Sequence, residues 1–409
     1  MYDDALAIAK TKIRGGETEP FFKKPFIDAA FSSHIFLWDT CFLCSFAKYH
    51  LDTLPAYQAL DNFYQLIEED GYICREYDAY GKAIWPKTHP VSINPPLLAF
   101  AERDLFSQSK DIARIKQVYP LLKKNFYFHV ENWMDEKGLF IGDALGSGMD
   151  NIPRYPQDWT PTEGSGLSHD DMVAEVKKLN LNGDAWFEAF VKAYQSSKQG
   201  VWYKHSRMVD LSAQMALYAK DLAFFATLLG HSNDTKAYLQ IQAKIKAAVN
   251  QYCWDDSTQC YFDLGEGKQI PRKHIGMYWT LLADLVPEEK IKGFVAHLKD
   301  PNMFNRTIPF ASLSAGDNQY KGWGDYWLGG VWAPTAYMAL RGLTNVGEHH
   351  LAKEVAQKLH VAVGEVYQAT GTFWENYAPD LQHYGMPSKK DFCGWSALIP
   401  INVNKEYLA

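Results

Sequence analysis

Residues 145–156, LGSGMDNIPRYP, place one carboxylate, Asp150, in a turn that contains two glycines. Glycine adopts positive φ angles without steric cost, so Gly146 and Gly148 predict a tight, irregular turn. Asp is also a favoured N-cap residue. The turn therefore has two interpretations: Asp150 begins a helix, or it is a catalytic acid held by a rigid loop.

Three other segments set carboxylates beside Trp or Arg: Asp39 in FLWDTCF, Glu76 after Arg75 in YICREYD, and Glu375 in FWENYAPD. Hydrolysis of a glycosidic bond needs two carboxyl groups, one to protonate the leaving oxygen and one to activate water or attack. A dry aromatic pocket raises the pKa of the acid towards neutrality. The alternatives are a helix cap for Asp39 and a local salt bridge between Arg75 and Glu76.

The composition favours a folded chain with a large core, because 47% of the 409 residues are apolar. The 13 Trp and 24 Tyr residues suit core packing and also stacking on sugar rings. The net charge is −7, with acidic and basic residues well mixed. This pattern does not indicate a nucleic-acid groove or a polybasic membrane patch, so we expect neither partner.

The six cysteines predict buried thiols rather than a metal site. Cys41 and Cys44 form the one C-x-x-C motif, no second pair lies at zinc spacing, and the neighbouring residues are aromatic. Scattered cysteines fit a reducing compartment, and the first residues, MYDDALAIAKTKIRGG, do not resemble a signal peptide. We expect a cytoplasmic protein, or a secreted or periplasmic one if a leader has been removed.

Other catalytic motifs are missing from the sequence. It contains no P-loop, H-E-x-x-H or G-x-S-x-G motif, and GSGMDN lacks the third glycine of a dinucleotide loop. The histidines are well separated, which favours structural roles for them. We therefore expect no organic cofactor and no metal; a bound Ca²⁺ is conceivable, but no EF-hand-like run of ligands supports it.

The helical pattern is clearest at 211–229, where apolar residues recur at steps of three and four until Gly230. A second stripe starts near Ser232 and ends at Tyr252, so the two segments predict an αα-hairpin. Strand signals are short and few. Similar helical runs occupy the segments at about 55–68, 92–104, 110–131, 272–285, 288–298, 332–342 and 348–366.

Aromatic clusters follow short polar turns at intervals of about 55 to 70 residues, the length of one helical hairpin. They lie at 70–77, 137–143, 199–204, 258–264, 320–332 and 370–377. Six hairpins that bury their faces on one another predict an all-α, single-domain (α/α)6 toroid over residues 1–409, with short β-hairpins in loops at one end. An open solenoid is the alternative.

The ordered motifs resemble glycoside hydrolase family 63, which includes processing α-glucosidases and mannosylglycerate and glucosylglycerate hydrolases and is related to the trehalases. The resemblance covers roughly residues 30–402 and agrees with the toroid. Its motifs, in chain order, are FLWDTCF, YICREYDAYGKAIWP, SINPPLLAF, GSGMDNIPR, RMVDLSAQM, GDYWLGGVWAPTAYMALRGL, FWENYAPD and CGWSALIP.

The resemblance implies an inverting glycosidase in which Asp150 is the general acid and Glu375 the general base. Asn151 is expected to orient the carboxyl group or contact a sugar hydroxyl, and Arg154 to brace the loop, since a cation at Asp150 would lower its pKa. Further expected substrate-binding residues are Trp38, Asp39, Arg75, Trp85, Asn94, Gly148, Tyr326, Trp327, Trp332, Trp374, Tyr377 and Trp395.

Two departures from the family pattern concern the substrate rather than the reaction. Asn94 precedes Pro95-Pro96 where the family commonly has Gln, and Leu328 follows Tyr326-Trp327 where it commonly has Arg. Losing that Arg removes a fixed cation with five donors, which puts substrates with a carboxylate in doubt.

The sequence therefore predicts hydrolysis of a short α-linked oligosaccharide or small glycoside with release of glucose or a related hexose, by a monomer or small homo-oligomer. Three alternatives remain at this point: an (α/α)6 epimerase or lyase that uses His or Tyr pairs, a catalytically silent carbohydrate-binding protein, and a purely structural helical scaffold.

Overall fold

The computed structural model describes residues 1–17, 19–29, 33–93 and 95–409, and within these ranges the chain is mainly helical. The helices are α1 (Tyr2–Thr11), α2 (Leu37–Ala47), α3 (Ala56–Tyr64), α4 (Leu98–Ser109), α5 (Ile112–Trp133), α6 (His169–Lys178), α7 (Gly183–Ser196), α8 (Lys198–Trp202), α9 (Val209–Leu228), α10 (Ser232–Ala248), α11 (Trp279–Leu282), α12 (Glu288–Ala296), α13 (Ala333–Asn345) and α14 (His349–Thr370). A π-helical segment, Ile399–Leu408, follows and is called the C-terminal helix.

The strands have only two or three residues each and pair antiparallel as β1–β2, β3–β4, β5–β8–β9 and β6–β7. They are β1 (Ile13–Arg14), β2 (Phe26–Ile27), β3 (Ile35–Phe36), β4 (Glu76–Tyr77), β5 (Ser206–Arg207), β6 (Trp254–Asp255), β7 (Cys260–Tyr261), β8 (Asp263–Gly265) and β9 (Lys268–Ile270). The pairs β6–β7 and β8–β9 are local hairpins, whereas β3–β4 joins segments far apart in sequence.

Helix α9 confirms the strongest periodic signal. It ends at Leu228, Gly230 follows with φ +78°, and α10 begins at Ser232 as expected. Almost every residue of α9 is buried, because the helix packs against α4, α5, α10 and α11. A fully buried Leu or Phe contributes about 1.5–3 kcal/mol through the hydrophobic effect, so α9 is a main element of the core.

Two predicted helices begin later than expected, and proline residues precede both of them. The run expected at 92–104 begins as α4 only at Leu98, because Pro95 and Pro96 lack an N–H and restrict the residue before each of them. The run expected at 272–285 follows Pro271 and consists of a 3₁₀ turn, Ile275–Tyr278, and the short α11.

Two segments differ from the sequence prediction: one helix was not predicted, and one expected loop is helical. Helix α2 shows no apolar stripe because all of its residues are buried, so no polar face marks its periodicity. The cluster at 199–204 was expected to be a loop, but it lies in α8 and the 3₁₀ turn Tyr203–His205. Ser197 caps α8 by accepting a hydrogen bond from the Gly200 N–H, 3.1 Å away.

Short backbone bridges bring the carboxylate-bearing loops together. The β3–β4 pair and the bond from Leu37 N to Arg75 O, 2.9 Å, place the start of α2 beside the Arg75 segment. Val331 bridges both Ala311 and Tyr377, which joins the loop before α13 to the loop after α14. The helices therefore supply the core, and these bridges position the site.

Candidate active site

The turn at residues 143–151 holds Asp150 at the surface of a cavity. The Asp143 carboxylate accepts a hydrogen bond from the Gly146 N–H at 2.5 Å, and Gly148 adopts φ +81°. A Cβ at Gly148 would lie 3.2 Å from the Trp38 ring, so glycine also permits the turn to approach this indole. Asp150 does not begin a helix; its Oδ2 accepts a hydrogen bond from the Tyr326 hydroxyl at 3.1 Å.

Arg154 braces this turn from behind. Its guanidinium donates to both Asp210 oxygens, at 3.0 and 2.5 Å, and to Asp263 at 3.1 Å. It also donates to the Ser147 hydroxyl at 3.0 Å. The side chain is 2% exposed, so the cation is committed to these partners, and Arg154 has the bracing position that the sequence predicted.

Asn151 links the Asp150 turn to residues 325–327. Its Oδ1 accepts the Trp327 N–H at 2.9 Å, and its Nδ2 donates to the Asp325 carbonyl at 3.1 Å. Asp325 and Tyr326 have φ +41° and +64°, a left-handed conformation that the two Asn151 bonds help to hold. Trp327 then stacks on Trp332, with ring centroids 4.0 Å apart.

Glu375 is held mainly through its backbone. Its N–H donates to the Lys389 carbonyl at 2.8 Å, and its own carbonyl accepts the Trp395 indole N–H at 3.1 Å. Tyr377, two residues on, exchanges two backbone hydrogen bonds with Val331. The Glu375 side chain is 7% exposed.

Asp150, Tyr326 and Glu375 line one cavity of about 600 Å³, a volume within the usual range of small-molecule sites. Helices α6 and α7 supply a second part of the lining. Its residues are His169, Asp170, Val173, Ala174, Lys177, Trp186 and Phe190.

Burial raises the pKa of both carboxyl groups. The pKa of Asp150 rises to about 6, although Arg75, His169 and the Tyr326 hydrogen bond act in the opposite direction. The pKa of Glu375 rises to about 7, because burial and the charge of Asp150 outweigh the nearby Lys389. Two carboxyl groups that line one cavity and titrate near neutrality can each give a proton to a ligand or take one from it.

Asp39 lies behind this pair, in the first turn of α2. Burial raises its pKa well above the ordinary value, and the charges of Glu375 and Asp150 act in the same direction. Among the described residues its Oδ1 has no hydrogen-bond partner. A Cβ at Gly394 would lie 2.4 Å from that oxygen, so glycine is required for the close approach.

The comparisons with known proteins identify the family of the chain. Residues 32–395 match the family model for the mannosylglycerate hydrolase MGH1-like glycoside hydrolase domain. The chain belongs to this family. Its resemblance to glycoside hydrolase family 63 is thereby confirmed, and a glycosidase is the class of enzyme to which it belongs.

The relatives are distant in sequence but extend over most of the chain. A probable mannosyl-oligosaccharide glucosidase of Schizosaccharomyces pombe is 23% identical over 85% of this chain and 47% of its own length. A probable trehalase of Oryza sativa subsp. japonica is 22% identical over 77% of this chain and 60% of its own. The chain thus spans less than two thirds of either relative.

The fold is shared with a solved structure of the family. The GH63 mannosylglycerate hydrolase from Thermus thermophilus, in complex with glucose, superposes with a TM-score of 0.73. The sequence identity is 17%, with 98% of this chain and 99% of that chain covered.

The structure separates the expected site residues into two layers. Asp150, Asn151, Tyr326 and Glu375 line the cavity. The others are not on this lining but connect to it, directly or through one another, by ring contacts, close approaches or charge. They are Trp38, Asp39, Arg75, Trp85, Gly148, Trp327, Trp332 and Trp395. Asn94 lies outside the described residues.

Trp374 and Tyr377 do not line the cavity. Trp374 stacks on Tyr384, with centroids 3.8 Å apart, and the Tyr377 hydroxyl accepts the Trp374 N–H at 3.3 Å. Both residues support the loop that carries Glu375. Arg75 and Glu76 do not pair with each other in the described chain; Glu76 binds Trp85 Nε1 at 2.8 Å and His34 Nδ1 at 2.6 Å.

The sequence interpretation did not include α6 and α7, whose residues form part of the cavity lining. One signal was available: Ser168 precedes an acidic turn and caps α6 by accepting the Asp171 N–H at 3.2 Å. It also did not include Lys389. The charge of Lys389 lowers the pKa of Glu375, but the two residues come close only in the folded chain, so no sequence motif marks the pair.

The remaining sequence predictions concern metals, thiols and membranes. All six cysteines are buried and free, as expected. In the described ranges, no group of three or more His, Cys, Asp or Glu side chains could hold a metal ion. No helix in the same ranges is both long and apolar enough to cross a membrane.

Proposed function

We propose that this chain is an inverting α-glycoside hydrolase that releases glucose or a related hexose from a short α-linked oligosaccharide or small glycoside. The observation that carries the proposal is the pair of buried carboxyl groups, Asp150 and Glu375, in one cavity with pKa values of about 6 and 7. Family membership supports the reaction class.

In the proposed reaction, Asp150 donates its proton to the leaving glycosidic oxygen while Glu375 removes a proton from the attacking water. Attack from the face opposite to the leaving group inverts the anomeric carbon. The proton released from water stays on Glu375, so one proton enters the aglycone and one leaves the water. Asp39 and Arg75 lie close enough to influence the charge of this pair.

We also propose a single (α/α)6 toroid over the whole chain. Six helices succeed one another in packing contact: α2, α4, α9, α11, α13 and the C-terminal helix, which returns to α2. Outer helices α3, α5, α10 and α14 pack against α2, α9 and α13, and α1 packs against the C-terminal helix. This cyclic order supports a closed ring over an open solenoid.

Two further features fit the proposal. The free thiols suit a reducing compartment such as the cytoplasm. Chemistry based on paired histidines is not supported, because His169 is the one histidine among the described lining residues and its Nδ1 lies 3.0 Å from Asp170. We retain a monomer or small homo-oligomer as the expected state, with a small carbohydrate as the ligand.

The test is anomeric proton NMR during digestion of trehalose, kojibiose, nigerose, maltose, an α-mannoside and glucosylglycerate. Initial release of the β-anomer is expected. Asp150→Asn and Glu375→Gln should each lower kcat by about 10²–10⁴-fold, the range typical of acid–base groups, and leave the melting temperature nearly unchanged.

Glu175→Gln is the matched control, since Glu175 is an exposed carboxylate on α6 paired with Lys178. Its kcat should equal that of the wild type. Initial release of the α-anomer would contradict the role of Glu375, and wild-type turnover in either cavity variant would remove that carboxyl group from the mechanism.

A further inference from the structure

Helix α6 turns one face towards the cavity. Its lining positions are separated by one or by three to four residues, from His169 through Val173 to Lys177, as expected for a single helical face. The next helix, α7, adds Trp186 and Phe190 one turn apart. The lining therefore combines the two carboxyl groups with apolar side chains from α6 and α7.

The two aromatic rings of α7 stack on each other, so Phe190 backs the ring of Trp186. Their centroids are 5.1 Å apart and the ring planes differ by 12°. The edge of Phe190 packs against Trp85 at 6.0 Å and 80°, which fixes its orientation from behind. Trp186 is partly exposed, and within the described part of the chain its indole N–H has no hydrogen-bond partner.

The charges of the cavity do not favour an anionic ligand. No arginine lines it in the described part of the chain, and the lysines that do, Lys177 and Lys389, are exposed. Asp170 and Asp325 offset these two cations on the same lining. A buried carboxylate ligand is usually bound by a planar guanidinium through two parallel hydrogen bonds, and this cavity presents none.

We propose that Trp186, backed by the stacked ring of Phe190, forms the leaving-group subsite and binds a second, uncharged pyranose ring of the substrate. The inference rests on the proposed glycosidase function. A pyranose has an apolar C–H face that matches an aromatic ring, and hydroxyl groups at its edge that accept from an indole N–H. The cavity volume of about 600 Å³ suits a ligand larger than one small glycoside unit.

Binding at this subsite should assist bond cleavage, because binding energy from the part of a substrate remote from the reacting bond lowers the barrier. An α-linked disaccharide is therefore expected to be a better substrate than a glycoside of a small hydroxy acid.

The experiment compares Trp186→Ala with Val191→Ala on two kinds of substrate. Val191 is the control, since it lies on the same helix but lines a different cavity. The substrates are the preferred disaccharide and the corresponding α-glycosyl fluoride, glucosyl or mannosyl, which has no sugar in the leaving-group position.

Trp186→Ala should lower kcat/KM for the disaccharide by about 10- to 100-fold and change that for the fluoride by less than about threefold. Val191→Ala should change neither. Equal losses on both substrates, no loss on either, or an equal loss from Val191→Ala would overturn the subsite. A wild-type preference for glucosylglycerate over every disaccharide would also do so.

The proposed function fails separately, if the wild-type protein hydrolyses neither fluoride nor any disaccharide. In that case, calorimetric titration of the wild type and Trp186→Ala with the same disaccharides still decides the subsite. Weaker binding of the disaccharide to the variant supports the leaving-group subsite. Equal affinity of the two proteins, or no binding to either, contradicts it.

Discussion

The turn that carries Asp150 and the loop that carries Glu375 are held in place by different kinds of interaction. Side chains hold the first: Arg154 reaches Asp210 and Asp263, and Asn151 reaches the neighbouring loop. Backbone bonds predominate in the second, as in the exchange between Tyr377 and Val331, and side chains such as Trp395 and Asn376 add to them. One carboxyl group thus depends on a few specific residues, whereas the other depends on a small sheet-like ladder.

This difference has a physical consequence for substitution. A backbone hydrogen bond survives most changes of side chain, but a buried ionic cluster fails when its central cation is removed. The Asp150 turn should therefore be the more sensitive of the two regions to single substitutions away from the carboxyl groups themselves.

Arg154→Met should have the largest effect. It leaves Asp210 and Asp263 buried without their cation, and loss of one partner of a buried ion pair costs about 3–5 kcal/mol. We expect a fall of this size in the free energy of unfolding, measured by urea titration, together with a large loss of kcat. Arg207→Met is the control, since Arg207 is 25% exposed and pairs only with Asp135 among the described acidic residues.

The ion pair between Arg207 and Asp135 should contribute less than about 1 kcal/mol to the free energy of unfolding. Equal stability losses in the two arginine variants would contradict the idea that side-chain cross-links hold the Asp150 turn.

Gly148→Ala should have a smaller effect on stability and a specific effect on activity. A left-handed φ costs a residue with a Cβ about 1–2 kcal/mol, and here the Cβ would also lie 3.2 Å from the Trp38 ring. Gly371→Ala is matched: φ is +73°, but no described atom lies within 4 Å of its Cβ.

Thermal denaturation should show similar losses of stability in both glycine variants, since the backbone strain is shared. Only Gly148→Ala should lower kcat, because only that change displaces the turn that carries Asp150. A similar decrease of kcat in Gly371→Ala would show that global destabilisation, rather than displacement of the turn, causes the loss.

The sequence was most informative where polar residues interrupt an apolar repeat and turn residues mark its ends. The two helices on either side of Gly230 were predicted closely, because apolar residues recur at steps of three and four and Gly230 and Ser232 mark the ends, although α9 itself is largely buried. Helix α2 escaped detection because its sequence is mostly apolar and Phe36, which precedes it, provides no side-chain cap. Periodicity measures a difference between faces, and this helix has none.

The same reasoning applies to the site. Asp150 and Glu375 lie in motifs that a single sequence displays, so both were found before the fold was known. Trp186 and Lys389 reach the cavity from segments with no chemical signature, and only the packing of α7 and the Glu375 loop reveals them. Local sequence thus pointed to the two carboxyl groups that line the cavity, whereas the residues that surround them required the tertiary structure.

Tyr326 connects the two regions, since its hydroxyl binds Asp150 and its ring packs on Trp332, 5.1 Å away. Its hydrogen bond lowers the pKa of Asp150, so Tyr326→Phe should raise that pKa. In the proposed mechanism the active form has Asp150 protonated and Glu375 ionised, which is the less populated of the two singly protonated forms because the pKa of Glu375 is the higher. With pKa values of about 6 and 7, kcat/KM of the wild type should follow a bell with its maximum between these values.

The direction in which the pH optimum moves follows from the alkaline and acidic sides of this profile. On the alkaline arm both groups are ionised, so the active fraction rises as Asp150 binds its proton more tightly. On the acidic arm both are protonated, and the active fraction depends on Glu375 alone. Tyr326→Phe should therefore raise the alkaline arm relative to the acidic one and move the optimum upwards by less than about one pH unit. Tyr320→Phe, whose hydroxyl binds Asp380 at 3.0 Å, should not move the optimum; an unchanged or lower optimum in Tyr326→Phe would mean that this hydroxyl does not set the proton affinity of Asp150.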